Sequence, residues 1–101
     1  MTRERPEITD FTGRIGQRFR MQLGAGQALE LELVEARDNG RTAIGGPDRS
    51  CFALLFRSPG EKRFAPQRIY TVEHDALGAL EMFLVPRGPD ALGMTYEAVY
   101  N

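Results

Sequence analysis

Two short runs near the middle and end of the chain, apolar on both faces, restrict what it can fold into. The first is Ser50-Cys51-Phe52-Ala53-Leu54-Leu55-Phe56-Arg57 and the second is Leu80-Glu81-Met82-Phe83-Leu84-Val85-Pro86. Both are too short for a typical helix, and both are bounded by charge, glycine or proline. They read as strands with a core on one side and a cover on the other. Upstream the pattern has period two. Phe19, Met21 and Leu23 alternate with Arg18, Arg20 and Gln22; Leu29, Leu31 and Leu33 alternate with Glu30 and Glu32. Alternation of this kind is what a half-buried antiparallel strand requires.

The turn chemistry fits a sheet. Gly24-Ala25-Gly26 separates the two alternating runs, so they read as a hairpin with Arg18 and Arg20 set near Glu30 and Glu32. After Leu33 the phase slips to Val34 and Ala36, the mark of a bulge. Asp38 to Asp48 reads as a loop, within which Thr42-Ala43-Ile44 could pair briefly. Ser58-Pro59-Gly60 and Asp75-Ala76-Leu77-Gly78 read as turns. A strand over 67–74 places Tyr70, Val72 and His74 on one face. Strand 79–85 is expected to stop at Pro86, which cannot donate to a ladder. The last run, Met94 to Tyr100, alternates again. Six strands at this spacing suggest a meander that curls into a barrel or a two-layer roll, and no internal repeat stands out.

Before the first strand, Ile8 to Gly16 reads as a short helix with Thr9 as its N-cap and Gly16 as its stop. Phe11 and Ile15, four apart, would share a face and cover the sheet. The expected fold is therefore mostly β: a six-stranded antiparallel barrel or roll with a short N-terminal helix. Residues 1–7 are expected to be a flexible N-terminus and 8–101 a single β domain. A chain of 101 residues with 42% apolar residues can bury a core without staples.

Charge narrows the partners. The formal net charge is −1, spread over 13 basic and 14 acidic residues. No overall field draws in nucleic acid or an anionic membrane, so neither is expected as a partner. The densest basic stretch is Arg57, Lys62, Arg63 and Arg68, with Phe64 among them. That is thin for a nucleic-acid surface, and Phe64 reads better as a protein contact. One cysteine, Cys51, cannot form an internal disulfide, which points to the cytoplasm. No apolar run has the length of a signal peptide or a membrane span.

Chemistry-bearing patterns are sparse. His74 is the only histidine, flanked by Glu73 and Asp75. Neighbours on a strand point to opposite faces, so those carboxylates cannot both join it on one ion, and no metal is expected. The simpler reading is a strand-end histidine bonded to the following turn. Cys51 has no activating base beside it in sequence. Ser50 and Ser58 lie in no Gly-x-Ser-x-Gly elbow, and neither glycine cluster has the pattern of a nucleotide site. Glu30 and Glu32 share a face at about 6.5–7 Å, which is most simply a solvated face. No catalytic residue and no cofactor are expected.

Longer motifs carry a resemblance. Phe52-x-Leu54-Leu55-Phe56-Arg57-x-Pro59, Gln67-x-x-Tyr70-x-x-x-His74-x-x-Leu77-Gly78, Phe83-Leu84-Val85-Pro86 and Tyr96-Glu97-Ala98-Val99-Tyr100-Asn101 resemble a family of small bacterial proteins of about this length that carries a domain-of-unknown-function label. Asp10-Phe11 and Gly16-x-x-Phe19 resemble its start. Arg68 departs from the pattern, where similar sequences have glycine, and bears on how strand 67–74 begins. The motifs are apolar and turn positions, so the resemblance implies a fold and no activity. The functional expectation is a non-catalytic interaction or structural accessory protein whose partner is a protein, self or heterologous. The alternative is a small barrel binding an apolar or amphipathic ligand in its mouth, with Tyr70, His74, Tyr96 and Tyr100 as polar handles. A further alternative that the resemblance implies is an accessory of phage-tail-like assembly.

Overall fold

A computed structural model describes residues 6–42, 49–60 and 65–100. One short helix, α1 (Thr9–Thr12), precedes six strands: β1 (Arg18–Gly24), β2 (Gln27–Thr42), β3 (Arg49–Pro59), β4 (Arg68–His74), β5 (Gly78–Asp90) and β6 (Gly93–Tyr100). Every neighbouring pair is antiparallel, and the sheet closes in the order β1-β2-β3-β6-β5-β4. The six-stranded expectation holds. The meander does not: after β3 the chain crosses to lie beside β1, and β6 returns to pair with β3.

This order contains a repeat that the reading of the sequence missed. A shift of 51 residues carries the register of the first hairpin, Arg18↔Glu32, onto that of the second, Ile69↔Phe83. With a shift of 42 from β3 to β6, the pair Leu33↔Phe56 becomes Leu84↔Ala98. Each half then bulges between its second and third strands, at Leu33/Glu35 and at Pro86/Gly88. The same 51-residue shift aligns Ala28-Leu29-Glu30-Leu31-Glu32-Leu33-Val34 with Ala79-Leu80-Glu81-Met82-Phe83-Leu84-Val85, five of seven identical. The barrel is thus two three-stranded halves related by a pseudo-twofold axis across it.

The alternation in each strand sorts side chains between core and surface. Phe19, Met21, Leu31, Leu33, Phe52, Leu54, Phe56, Val72, Met82, Leu84 and Tyr96 fill the interior. Phe11 is fully buried, its ring 6.4 Å from Phe19 and 6.0 Å from Phe52. Those are interior residues, so α1 plugs one end of the barrel and does not cover the outer face of β3. That outer face is shielded by long charged side chains instead: Glu35, Arg37 and Glu97 surround Ala53 and Leu55.

Several local expectations are corrected. Ile15 is not part of the plug; it is 48% exposed. The helix ends at Thr12, and Gly16 at φ +89° turns the chain into β1, where its N–H donates to the Leu33 carbonyl at 2.7 Å. Ile8, not Thr9, is the N-cap, and it makes no side-chain cap bond. Pro6 is buried and the Glu7 N–H donates to Asp10 Oδ2, so both belong to the folded domain. Asp38–Thr42 continues β2 rather than opening a loop. Gly40, at φ +94° with its N–H on Asp38 Oδ1, absorbs a second bulge there. The expected pairing over Thr42-Ala43-Ile44 extends outside the described residues. Finally, β5 runs through Pro86 and Pro89. Its pairing with β4 stops at Leu84, so beyond that point one side of β5 is an edge where a missing N–H costs nothing.

Candidate functional site

The interior supplies the first place to look for a site. Tyr70 and Tyr96 lie at the end opposite Phe11. The Tyr70 hydroxyl donates to the Pro66 carbonyl at 2.5 Å, and Tyr96 Oη accepts from the Ala65 N–H at 2.9 Å. Both hydroxyls thus anchor the segment leading into β4, and burial pushes the Tyr70 phenol up. Arg68 stays in register with Leu84, its guanidinium 5.9 Å from the Tyr70 ring centroid. The arginine therefore leaves the start of β4 regular. His74 and Tyr100 lie at the other end, with Tyr100 stacked on Phe52 at 4.7 Å. The four candidate contacts divide two and two between the ends and do not converge on one mouth. Phe64 lies outside the described residues.

His74 occupies the role expected of a strand-end histidine. Its Nδ1 accepts from the Ala76 and Leu77 N–H groups at 3.0 and 3.2 Å. Its Nε2 is 2.7 Å from Gln17 Oε1, and its ring packs 4.5 Å from Phe19. Burial, with Arg14 and Arg20 nearby, holds its pKa below the usual histidine value, against the pull of Asp75. Cys51 lies on β3, diametrically across the ring from β4, and points outward while His74 points in. The two do not form a pair. Among the described residues no three His, Cys, Asp or Glu side chains cluster as a metal site needs.

The second place to look is the outer surface, and here the two halves differ. On the first half, the outward row across β1, β2 and β3 is Arg18, Glu32 and Arg57, joined in register. Arg18 bonds Glu30 at 2.8 Å, and Arg57 grips Asp90 through Nε and Nη2 at 2.7–3.2 Å. The same row on the second half is Ile69, Phe83 and Val99. Ile69 pairs with Phe83, and the β5–β6 register carried one residue further sets Phe83 opposite Val99. These three are 63%, 49% and 49% exposed. One geometric position is filled by alternating charge on one half and by apolar side chains on the other.

The surroundings of the apolar row are polar apart from Val85, paired with Glu97, and Ala53, paired with Val99. Glu97 lies on its flank toward the Tyr70 end, within 3.5 Å of Arg37 and 3.8 Å of Arg87. Thr71 and Glu81, paired with each other, flank it on the other side. The apolar run places Phe83 in a covered strand, and the sequence pattern alone does not single out Ile69 or Val99. The aligned Ala-Leu-Glu segments were the signal that could have found the row, because Glu32 and Phe83 are equivalent within them.

The fold and the surface together define a closed six-stranded antiparallel barrel, plugged at one end by Phe11 and carrying an apolar outer row on its second half. The chain belongs to the family described as domain of unknown function DUF6916, whose model matches residues 6–100. Neither the curated proteins nor the solved structures contain a match. No helix among the described residues is long and apolar enough to cross a membrane.

Proposed function

We propose that the protein is a non-catalytic interaction module that binds another protein through the row Ile69–Phe83–Val99. The observation that carries this reading is the internal comparison between halves. Arg18, Glu32 and Arg57 show that the barrel accepts charge at this position. The fold therefore does not demand Ile69, Phe83 and Val99, and their exposure is unfavourable for a chain that nothing covers. An apolar row with a charged rim has the anatomy of a contact patch.

Its size favours a different protein over a second copy. Side chains of this size at these exposures present on the order of 300 Å², whereas a stable dimer needs about 800 Å² from each partner. The occupant is thus a protein segment that brings most of the remaining contact area elsewhere. The reading of an apolar-ligand barrel has less support, because the core side chains that would line such a cavity pack against one another.

Exchange of the row for its counterpart tests this. The full chain carrying Ile69→Arg, Phe83→Glu and Val99→Arg should fold with an unchanged melting temperature and remain monomeric. It should also lose the heterologous complex that the parent chain forms in its host. Unfolding of the exchanged protein would show that the row serves the fold. A parent that is dimeric, with the variant monomeric, would assign the row to a second copy.

A further inference from the structure

The ring closes unevenly. β3 and β6 are paired continuously from Phe52↔Tyr100 to Pro59↔Gly93. β1 and β4 share only Arg20↔Glu73 and Met21↔Val72. With so little backbone pairing, this seam is held by side chains that reach across it. His74 Nε2 meets Gln17 Oε1, Arg20 meets Asp75 at 3.1 Å, Gln22 donates to Glu73, and the Phe19 and His74 rings pack together.

His74 is the only contributor to the seam that changes charge in the physiological range. Its bonding fixes its state. Nδ1 faces two backbone N–H donors, so it must carry a lone pair, and the ring proton sits on Nε2 and is donated to Gln17. A proton added at Nδ1 would meet the Ala76 and Leu77 N–H groups head on, and both bonds that fix the β4–β5 turn would be lost. The charged groups around the ring oppose a second positive charge on balance. Arg14 approaches from the segment between α1 and β1, and Arg20 from β1. Asp75 in the following turn favours the charge, but it is engaged with Arg20 and exposed to solvent. Glu73, next to His74 on β4, points to the outer face and is engaged by Gln22. His74 is 6% exposed at the edge of an open pocket lined by Gln17, Arg20, Asp75 and Ala76. Its Nε2–H bond to Gln17 suits either state, so what a proton removes is the fit of the ring against the turn N–H groups and the nearby arginines.

We propose that the β1–β4 seam is a latch closed by neutral His74, and that mild acid opens the barrel along this seam first. The proposal goes beyond the interaction reading and does not depend on it. Opening leaves β1 joined to β2 and β4 joined to β5, with two free strand edges, the form of backbone that accepts an added strand. The sign agrees: a histidine that binds its proton less tightly in the folded state than its ordinary value of 6.5 gives stability that is complete above that value. That stability is lost as pH falls below it.

Hydrogen exchange on the full chain at about pH 7.5 and about pH 5, corrected for the intrinsic rate, tests the latch. Peptides covering 17–24 and 68–75 should exchange about tenfold faster at the lower pH, while 52–58 and 94–100 keep their protection. His74→Asn removes the titration and should abolish the difference. Should that variant fail to fold, His74→Gln removes the same titration and should likewise abolish the difference. Uniform loss of protection, earlier loss in β3 and β6, or an undiminished pH effect in either variant would overturn the proposal.

Discussion

Met21 of β1 and Val72 of β4 are cross-strand partners at the seam, and the 51-residue shift that relates the two hairpins carries one onto the other. The pair therefore sits on the pseudo-twofold axis. On the far side of the ring, the 42-residue shift does the same for Leu55 and Glu97. The two halves meet at one long junction and one short one. Phe11 plugs one end, and the segment bonded by Tyr70 and Tyr96 closes the other. The outer rows differ in kind.

Of the two residues that the spacing pairs, only Phe11 enters the plug, beside Ile8. Phe11 is fully buried between Phe19 and Phe52, whereas Ile15 is half exposed. Phe11→Ala should cost about 3–5 kcal/mol, and Ile15→Ala should stay within about 0.5 kcal/mol. Urea unfolding of both variants checks this. Equal losses would restore the two-residue lid suggested by the spacing.

Gly93 has a role that only glycine can fill. It sits at φ +153°, and a Cβ there would lie 2.1 Å from the Ser58 carbonyl oxygen. The neighbouring Gly60 N–H donates to the Leu92 carbonyl, so neither backbone can retreat freely. Gly93→Ala should cost on the order of 3 kcal/mol. Gly88, at φ +111° with open space around it, should cost only about 1–2 kcal/mol on the same change. Thermal melts should rank the two variants in that order.

Asp90 does two jobs. It accepts the three bonds from Arg57 Nε and Nη2, and its Oδ1 also accepts the Leu92 and Gly93 N–H groups that form the β5–β6 turn. The bonds from Arg57 and then the Leu92 N–H hold its carboxyl below the usual range. A depressed carboxylate contributes stability that is present above its unfolded value of 3.8 and lost as pH falls through the folded one. Asp90→Asn keeps an acceptor for the turn and should destabilise less than Asp90→Ala. The gap between Asp90→Asn and the parent should narrow as pH falls from about 7 to below 3.8, read by urea unfolding across that range. A gap that persists at low pH would show that Arg57 is not its source.

Strand count and core were legible because period two is written directly in Phe19-Met21, Leu29-Leu31-Leu33 and Met94-Tyr96-Ala98. The role of His74 was legible too, since a histidine ending a strand before Asp-Ala-Leu-Gly has turn donors within reach. The ring order was not, because alternation shows which face of a strand is buried and nothing of which strand lies beside it. Pro86 is tolerated within β5 because past Leu84 the strand keeps β6 on one side and has no β4 on the other, so one side can lack an N–H. Phe83 was placed in a covered strand because an apolar residue in an apolar run looks buried from either side. Only its equivalence to Glu32 exposes it as a surface residue.

Site-specific photocrosslinking in the host decides whether the row Ile69–Phe83–Val99 is a contact surface, with the reactive residue placed at Phe83 in one protein and at Glu32 in another. The two positions are equivalent in the fold and differ in the row they belong to. A contact surface gives a discrete adduct with a different protein from position 83 and none of the same mass from position 32. Equal adducts from both positions, or adducts from position 83 only with a second copy of this chain, would contradict it.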